Sequence, residues 1–78
     1  MGQCNDILDQ ARRTPTGVRF EDLCTLAECH GWVFARSRGS HRIYKRAGTL
    51  RMMNFQEGGN GMAKALQVRQ LLRAIDED

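Results

Sequence analysis

The chain has 78 residues, 41% hydrophobic and 27% charged, with a net charge of +3. That length holds one domain with one thin core, and a domain so small commonly leans on a disulfide, a metal or a partner. No apolar run approaches the roughly 20 residues of a membrane span, and Met1–Gln10 carries Asp6 and Asp9 without a basic stretch, which argues against a signal peptide.

In chain order, Asn5–Arg13 is predicted to be a short helix. Ile7, Leu8 and Ala11 share one side, Arg12 and Arg13 fill the last turn, and Pro15 stops it within a hinge at Thr14–Gly17. With so few apolar residues, this piece is expected to sit loosely or to pack on something else. A second helix follows. Phe20, Leu23, Cys24 and Ala27 keep the helical spacing, with Leu26 at the stripe's edge. Glu21 and Asp22 complement the dipole at its start, and Gly31 is the expected stop.

From Trp32 the period shortens. Trp32–Arg36, His41–Arg46 and Leu50–Phe55 are predicted strands, joined by turns at Arg38-Gly39-Ser40 and Ala47-Gly48-Thr49. Turns this short imply an antiparallel meander. On the middle strand, His41, Ile43 and Lys45 share one face, and Arg42, Tyr44 and Arg46 share the other. Neither face is cleanly apolar, which leaves room for a bulge or a partly open sheet face. Gln56–Lys64, with Gly58, Gly59 and Gly61, is expected to be a mobile loop. A last helix runs from about Ala65 to Asp76, with Val68, Leu71, Leu72 and Ile75 as its stripe and Leu66 near its entry. The order α-α-β-β-β-α makes an α+β fold: a three-stranded antiparallel sheet with helices on one face and the other face free.

Charge is unevenly placed. Between Cys29 and Phe55 there is no acid, yet Arg36, Arg38, Arg42, Lys45, Arg46 and Arg51 all lie there. A polyanion is the natural partner for such a stretch, against the plainer reading of a solvated basic face. A third reading is a protein-interaction domain that meets an acidic partner.

Other chemistry fits poorly. Three cysteines without a close C-x-x-C pair argue against a disulfide framework and for a reducing cytoplasm. Cys24 and Cys29 lie about 140° apart around a helix, and no zinc spacing is present. Cys29-His30 has the residue types of a thiol nucleophile and base but not their geometry. The glycines before Lys64 do not match a phosphate-binding loop. No metal or cofactor is called for.

What remains is Arg36-Ser37-Arg38-Gly39-Ser40-His41-Arg42-Ile43-Tyr44-Lys45-Arg46. His41 can exchange a proton near neutral pH, and its neighbouring cations can hold a phosphodiester and offset charge developing on it. RNA brings its own nucleophile, the 2′-hydroxyl, so an acid/base residue and positive charge are sufficient for cleavage. RNA binding without cleavage suits the same residues. The plain alternative is that His41 is an ordinary histidine at the start of a strand.

Several segments together resemble the HicA (YcfA-like) toxin family of bacterial toxin–antitoxin systems. They are Arg19-Phe20-x-Asp22-Leu23-Cys24, Gly31-Trp32, Arg36-x-x-Gly39-Ser40-His41-x-Ile43-Tyr44 and Lys64-x-x-Gln67-Val68-Arg69-Gln70-Leu71-Leu72. The resemblance covers about Arg19 to Glu77, leaving 1–18 as a leading helix and hinge and 19–78 as the toxin-like domain. It implies a double-stranded-RNA-binding-domain-like fold and a metal-independent endoribonuclease that cuts mRNA in the bacterial cytoplasm. It further implies His41 as catalytic residue and a HicB-like antitoxin as protein partner. Arg36, Arg38, Ser40, Arg42, Lys45 and Arg46 are then expected to bind RNA, with Tyr44 either stacking on a base or packing in the core. One departure stands out. Many members follow the third strand with a Pro-Arg-His-like segment, where this chain has Asn54-Phe55-Gln56-Glu57, and His30 lies on a different element. The alternative reading is a non-catalytic RNA-binding module of the same fold.

Overall fold

Helix α1 (Gly2–Arg13), helix α2 (Phe20–Cys29), strands β1 (Trp32–Arg38), β2 (His41–Arg46) and β3 (Met52–Gln56), and helix α3 (Ala65–Glu77) follow in that order. Short 3-10 turns occupy Pro15–Gly17 and Gly59–Gly61. The computed structural model describes residues 2–77. The strands form an antiparallel sheet in the order β1-β2-β3. The fold is α+β, as the hydrophobic periods predict. The third strand starts later than expected, at Met52, and Leu50 before it is fully exposed.

The α2 stripe is buried as its spacing requires: Phe20, Leu23, Cys24, Leu26 and Ala27 all enter the core. Gly31 ends the helix region with φ +91°, a conformation that costs other residues energy. On α3, Val68, Leu71 and Ala74 are buried, with Leu72 and Ile75 packed at the core's edge. Leu66 does not join them and stays 66% exposed.

Helix α1 is not loose. Ile7 and Ala11 are buried in the same core cluster as Leu23, Leu26 and Leu71. Two apolar residues one turn apart suffice because α1 needs to cover only the gap between α2 and α3. Arg12 adds a surface ion pair to Asp76 on α3, at 2.8 Å. Cys4 on α1 is disulfide-bonded to Cys29 at the end of α2. This overturns the expectation from cysteine spacing, because over a sequence separation of 25 the chain turns back on itself in a way that spacing does not reveal.

The glycine loop after β3 is tied to the hinge. Glu57 bridges Ala63, Arg19 bridges Met62, and the Ala63 amide donates to the Val18 carbonyl at 2.8 Å.

Candidate functional site

Cross-strand partners share a face of a sheet, so the register assigns every side chain a side. His41 pairs with Arg38 and Gln56, Ile43 with Arg36 and Asn54, and Lys45 with Val33 and Met52. These residues form the open face. Arg42 pairs with Ser37 and Phe55, Tyr44 with Phe34 and Met53, and Arg46 with Trp32. These lie on the side that carries the helices.

A β-bulge between Phe34 and Arg36 decides where two of the cations go. Trp32 and Phe34 lie on the helix side. Strict alternation would send Arg36 and Arg38 after them. The extra residue, Ala35, shifts the pleat by one, and both arginines emerge on the open face. The turn beyond them is the two-residue loop Gly39-Ser40, in which Gly39 alone has positive φ, +62°, the pattern of a II′ hairpin. The hairpin thus sets Arg38 directly opposite His41.

His41 is partly buried and held from β3. Its Nδ1 lies 2.9 Å from Asn54 Oδ1. With the amide oxygen as acceptor, Nδ1 carries the proton and Nε2 keeps a free lone pair. Beside this pair, Lys64 donates to Gln56 Oε1 at 2.7 Å, and Gln56 Nε2 donates to the Ser40 hydroxyl at 3.3 Å. Gln67 accepts from the Gln56 amide at 2.8 Å, fixing the same strand end to α3. The open face therefore gathers Arg36, Arg38, Ser40, His41, Lys45 and Asn54, and none of its strand residues is acidic.

The remaining expected RNA-binding residues are placed otherwise. Tyr44 is only 1% exposed, with rings of Phe34 and Phe55 at centroid distances of 5.8 and 5.4 Å. It is a core residue, and stacking on a base is ruled out. Its hydroxyl donates to Glu28 at 3.4 Å. Burial, then the hydrogen bond with Cys24 and the nearby Cys24 and Glu28 charges, push its pKa well up. Burial likewise raises the Cys24 thiol, which keeps it protonated and unreactive. Arg42 lies over the Phe20 ring at 5.1 Å and Arg46 over the Trp32 ring at 5.9 Å. Their guanidinium groups cap the rim of the core on the helix side, away from His41.

Sequence reasoning missed Asn54. Its signal was its position opposite Ile43, two residues from the strand position facing His41, legible only once the register is known. Cys29 is consumed in the disulfide, so the Cys29-His30 nucleophile is excluded in this state. Among the described residues, no group of three His, Cys, Asp or Glu side chains is placed to hold a metal. No family model, curated protein or solved structure matches the chain.

Proposed function

We propose that the chain is a toxin-type endoribonuclease resembling the HicA family, acting on mRNA without a metal and with His41 as its acid/base residue. The observation that supports this most is His41 held by Asn54 on a face whose described strand residues include no acid and that also carries Arg36, Arg38 and Lys45. In this reading, Nε2 of His41 removes the proton from a ribose 2′-hydroxyl. The 2′-oxygen attacks the adjacent phosphorus, and the bond to the 5′-oxygen breaks. The products are a 2′,3′-cyclic phosphate and a 5′-hydroxyl, the departing oxygen taking a proton from solvent. Arg36 and Arg38 offset the extra negative charge on phosphorus in the transition state. Because the 2′-hydroxyl is the nucleophile, the reaction as written needs no cofactor.

The proposed protein partner is a HicB-like antitoxin covering this face, and the proposed compartment is the bacterial cytoplasm. There the Cys4–Cys29 pair would be held reduced. No helix among the described residues is long and apolar enough to cross a membrane.

One observation favours the runner-up, an RNA-binding module without catalysis: among the described strand residues of the open face, His41 is the one histidine and no carboxylate stands beside it as a second proton donor or acceptor. Expression of wild type and His41→Ala decides between them. Growth arrest and RNA fragmentation with wild type alone support the enzyme. Intact RNA with both proteins, together with retained RNA binding, supports the module.

A further inference from the structure

The two edges of the sheet differ. β1 is bulged and lined by Arg36 and Arg38, features that discourage another strand from adding there. β3 keeps regular register over all five of its residues and contains no proline. Its Gln56 amide turns outward to Gln67. By the alternation of an antiparallel ladder, the main-chain groups of Met52 and Asn54 turn outward too. Both residues are exposed.

Beside this edge lies a cleft of about 500 Å³ between β3 and α3. Met52, Met53 and Leu66 supply its apolar lining, and Arg51, Arg69 and Arg73 its charge. Met52 is 50% exposed, and Leu66 is the large residue of α3 left out of the core. Arg51 is paired with Glu77, whereas Arg69 and Arg73, one turn apart, have no ion pair among the described residues. Among the described residues, no acid lines the cleft.

We propose that this cleft binds an extended acidic segment of a partner protein, which joins the sheet as a fourth strand on β3. Main-chain hydrogen bonds to the β3 edge would give affinity. Alternate acidic side chains would reach Arg69 and Arg73, and the apolar ones between them would cover Met52 or Leu66. A second copy of this chain fits badly, because it would bring three more arginines to the same place. A nucleic acid would satisfy the arginines but would leave the strand edge unpaired. This inference goes beyond the ribonuclease reading and does not depend on it.

The test is an NMR amide titration of the whole chain with a capped Glu-Val repeat peptide of about eight residues, long enough to span the strand. Saturable shifts confined to Met52–Asn54 and Leu66–Arg73 are expected. Charge reversal in Arg69→Glu/Arg73→Glu, on an exposed helix face and checked for folding by circular dichroism, should weaken binding at least about tenfold. N-methylation of alternate peptide amides, which removes strand pairing, should weaken it by a similar factor. Absence of saturable shifts up to about 1 mM peptide overturns the proposal. Equal affinity of the double variant or of the methylated peptide overturns it as well. So does tighter binding of single-stranded RNA at these residues in the His41→Ala background, or a dimer in sedimentation that buries Met52.

Discussion

The Nδ1 atom of His41 on β2 donates to Oδ1 of Asn54 on β3 across 2.9 Å, so one strand holds the proposed acid/base group of its neighbour. The bond fixes both the ring's orientation and its tautomer. Loss of His41 should lower cleavage about 10²–10⁴-fold. Asn54→Ala should lower kcat by about tenfold, the order of a lost hydrogen bond of roughly 1–1.5 kcal/mol, with KM little changed. Asn54→Asp should move the acidic limb of the pH–rate profile upward, because a carboxylate favours the imidazolium. Unchanged melting temperature in all three variants separates this role from a structural one. An Asn54→Ala enzyme with wild-type kcat and pH profile would sink the assignment.

Tyr44 belongs to the fold. It is packed between the rings of Phe34 and Phe55, and its hydroxyl reaches Glu28. Tyr44→Phe should cost about 1 kcal/mol, the worth of one hydrogen bond. Tyr44→Ala should cost about 3–5 kcal/mol through the cavity it leaves. RNA affinity per folded molecule should be the same as wild type for Tyr44→Phe. Denaturant melts and binding measured on one preparation check both statements.

The periods in the sequence carried the fold well, because each helix has a stripe and each strand is bounded by glycine turns. Much of the candidate site depended on register, which the sequence does not state. Alternation alone separates His41 and Lys45 from Arg42 and Arg46, but not which pair faces solvent. Arg36 and Arg38 reach the open face only through a bulge at Ala35, a backbone event with no side-chain signature here. Asn54 becomes meaningful only when β3 is laid against β2. Cys4 and Cys29 meet through tertiary folding, and neither local pattern nor count reveals it.

The Cys4–Cys29 bridge closes a loop of 25 residues' separation. Chain entropy gives such a loop about 3 kcal/mol of stabilisation. Reduction, or Cys4→Ser/Cys29→Ser, should therefore lower the melting temperature by about 10 °C or more in a domain of this size. RNA cleavage below the melting range should be unaffected, since both cysteines lie on the helical side. Alkylation after unfolding without reductant should label Cys24 alone in the oxidised protein and all three cysteines in the reduced one.

A second tie to α1 depends on pH. The hydrogen bond from Arg12, with a smaller contribution from its charge, lowers the Asp76 carboxyl below its ordinary value. A group whose folded pKa is depressed stabilises the fold above its unfolded pKa and loses that contribution as pH falls through the folded value. The melting-temperature gap between wild type and Asp76→Asn should thus be present at neutral pH and close in acid, below about pH 4. Both side chains are well exposed, at 43% and 57%, so added salt should shrink the gap even at neutral pH. A gap that widens in acid would contradict the pairing.

Salt dependence tests the proposed RNA interface. On single strands each neutralised phosphate contributes about −0.7 to the slope of log affinity against log salt. Arg36, Arg38 and Lys45 share the open face with His41, so three contacts there give a slope of about −2. Measurements belong in the His41→Ala background, where the RNA stays intact. Arg36→Ala, Arg38→Ala and Lys45→Ala should each flatten the slope by about 0.7. Arg42→Ala and Arg46→Ala should change it much less, because these guanidinium groups lie over Phe20 and Trp32 on the opposite side. Their loss should instead appear as about 0.5–1 kcal/mol of stability. If the greatest flattening came from Arg42 and Arg46, RNA would lie against the helix-side rim, and His41 could not reach its backbone. A slope near zero with binding intact would remove the electrostatic interface altogether.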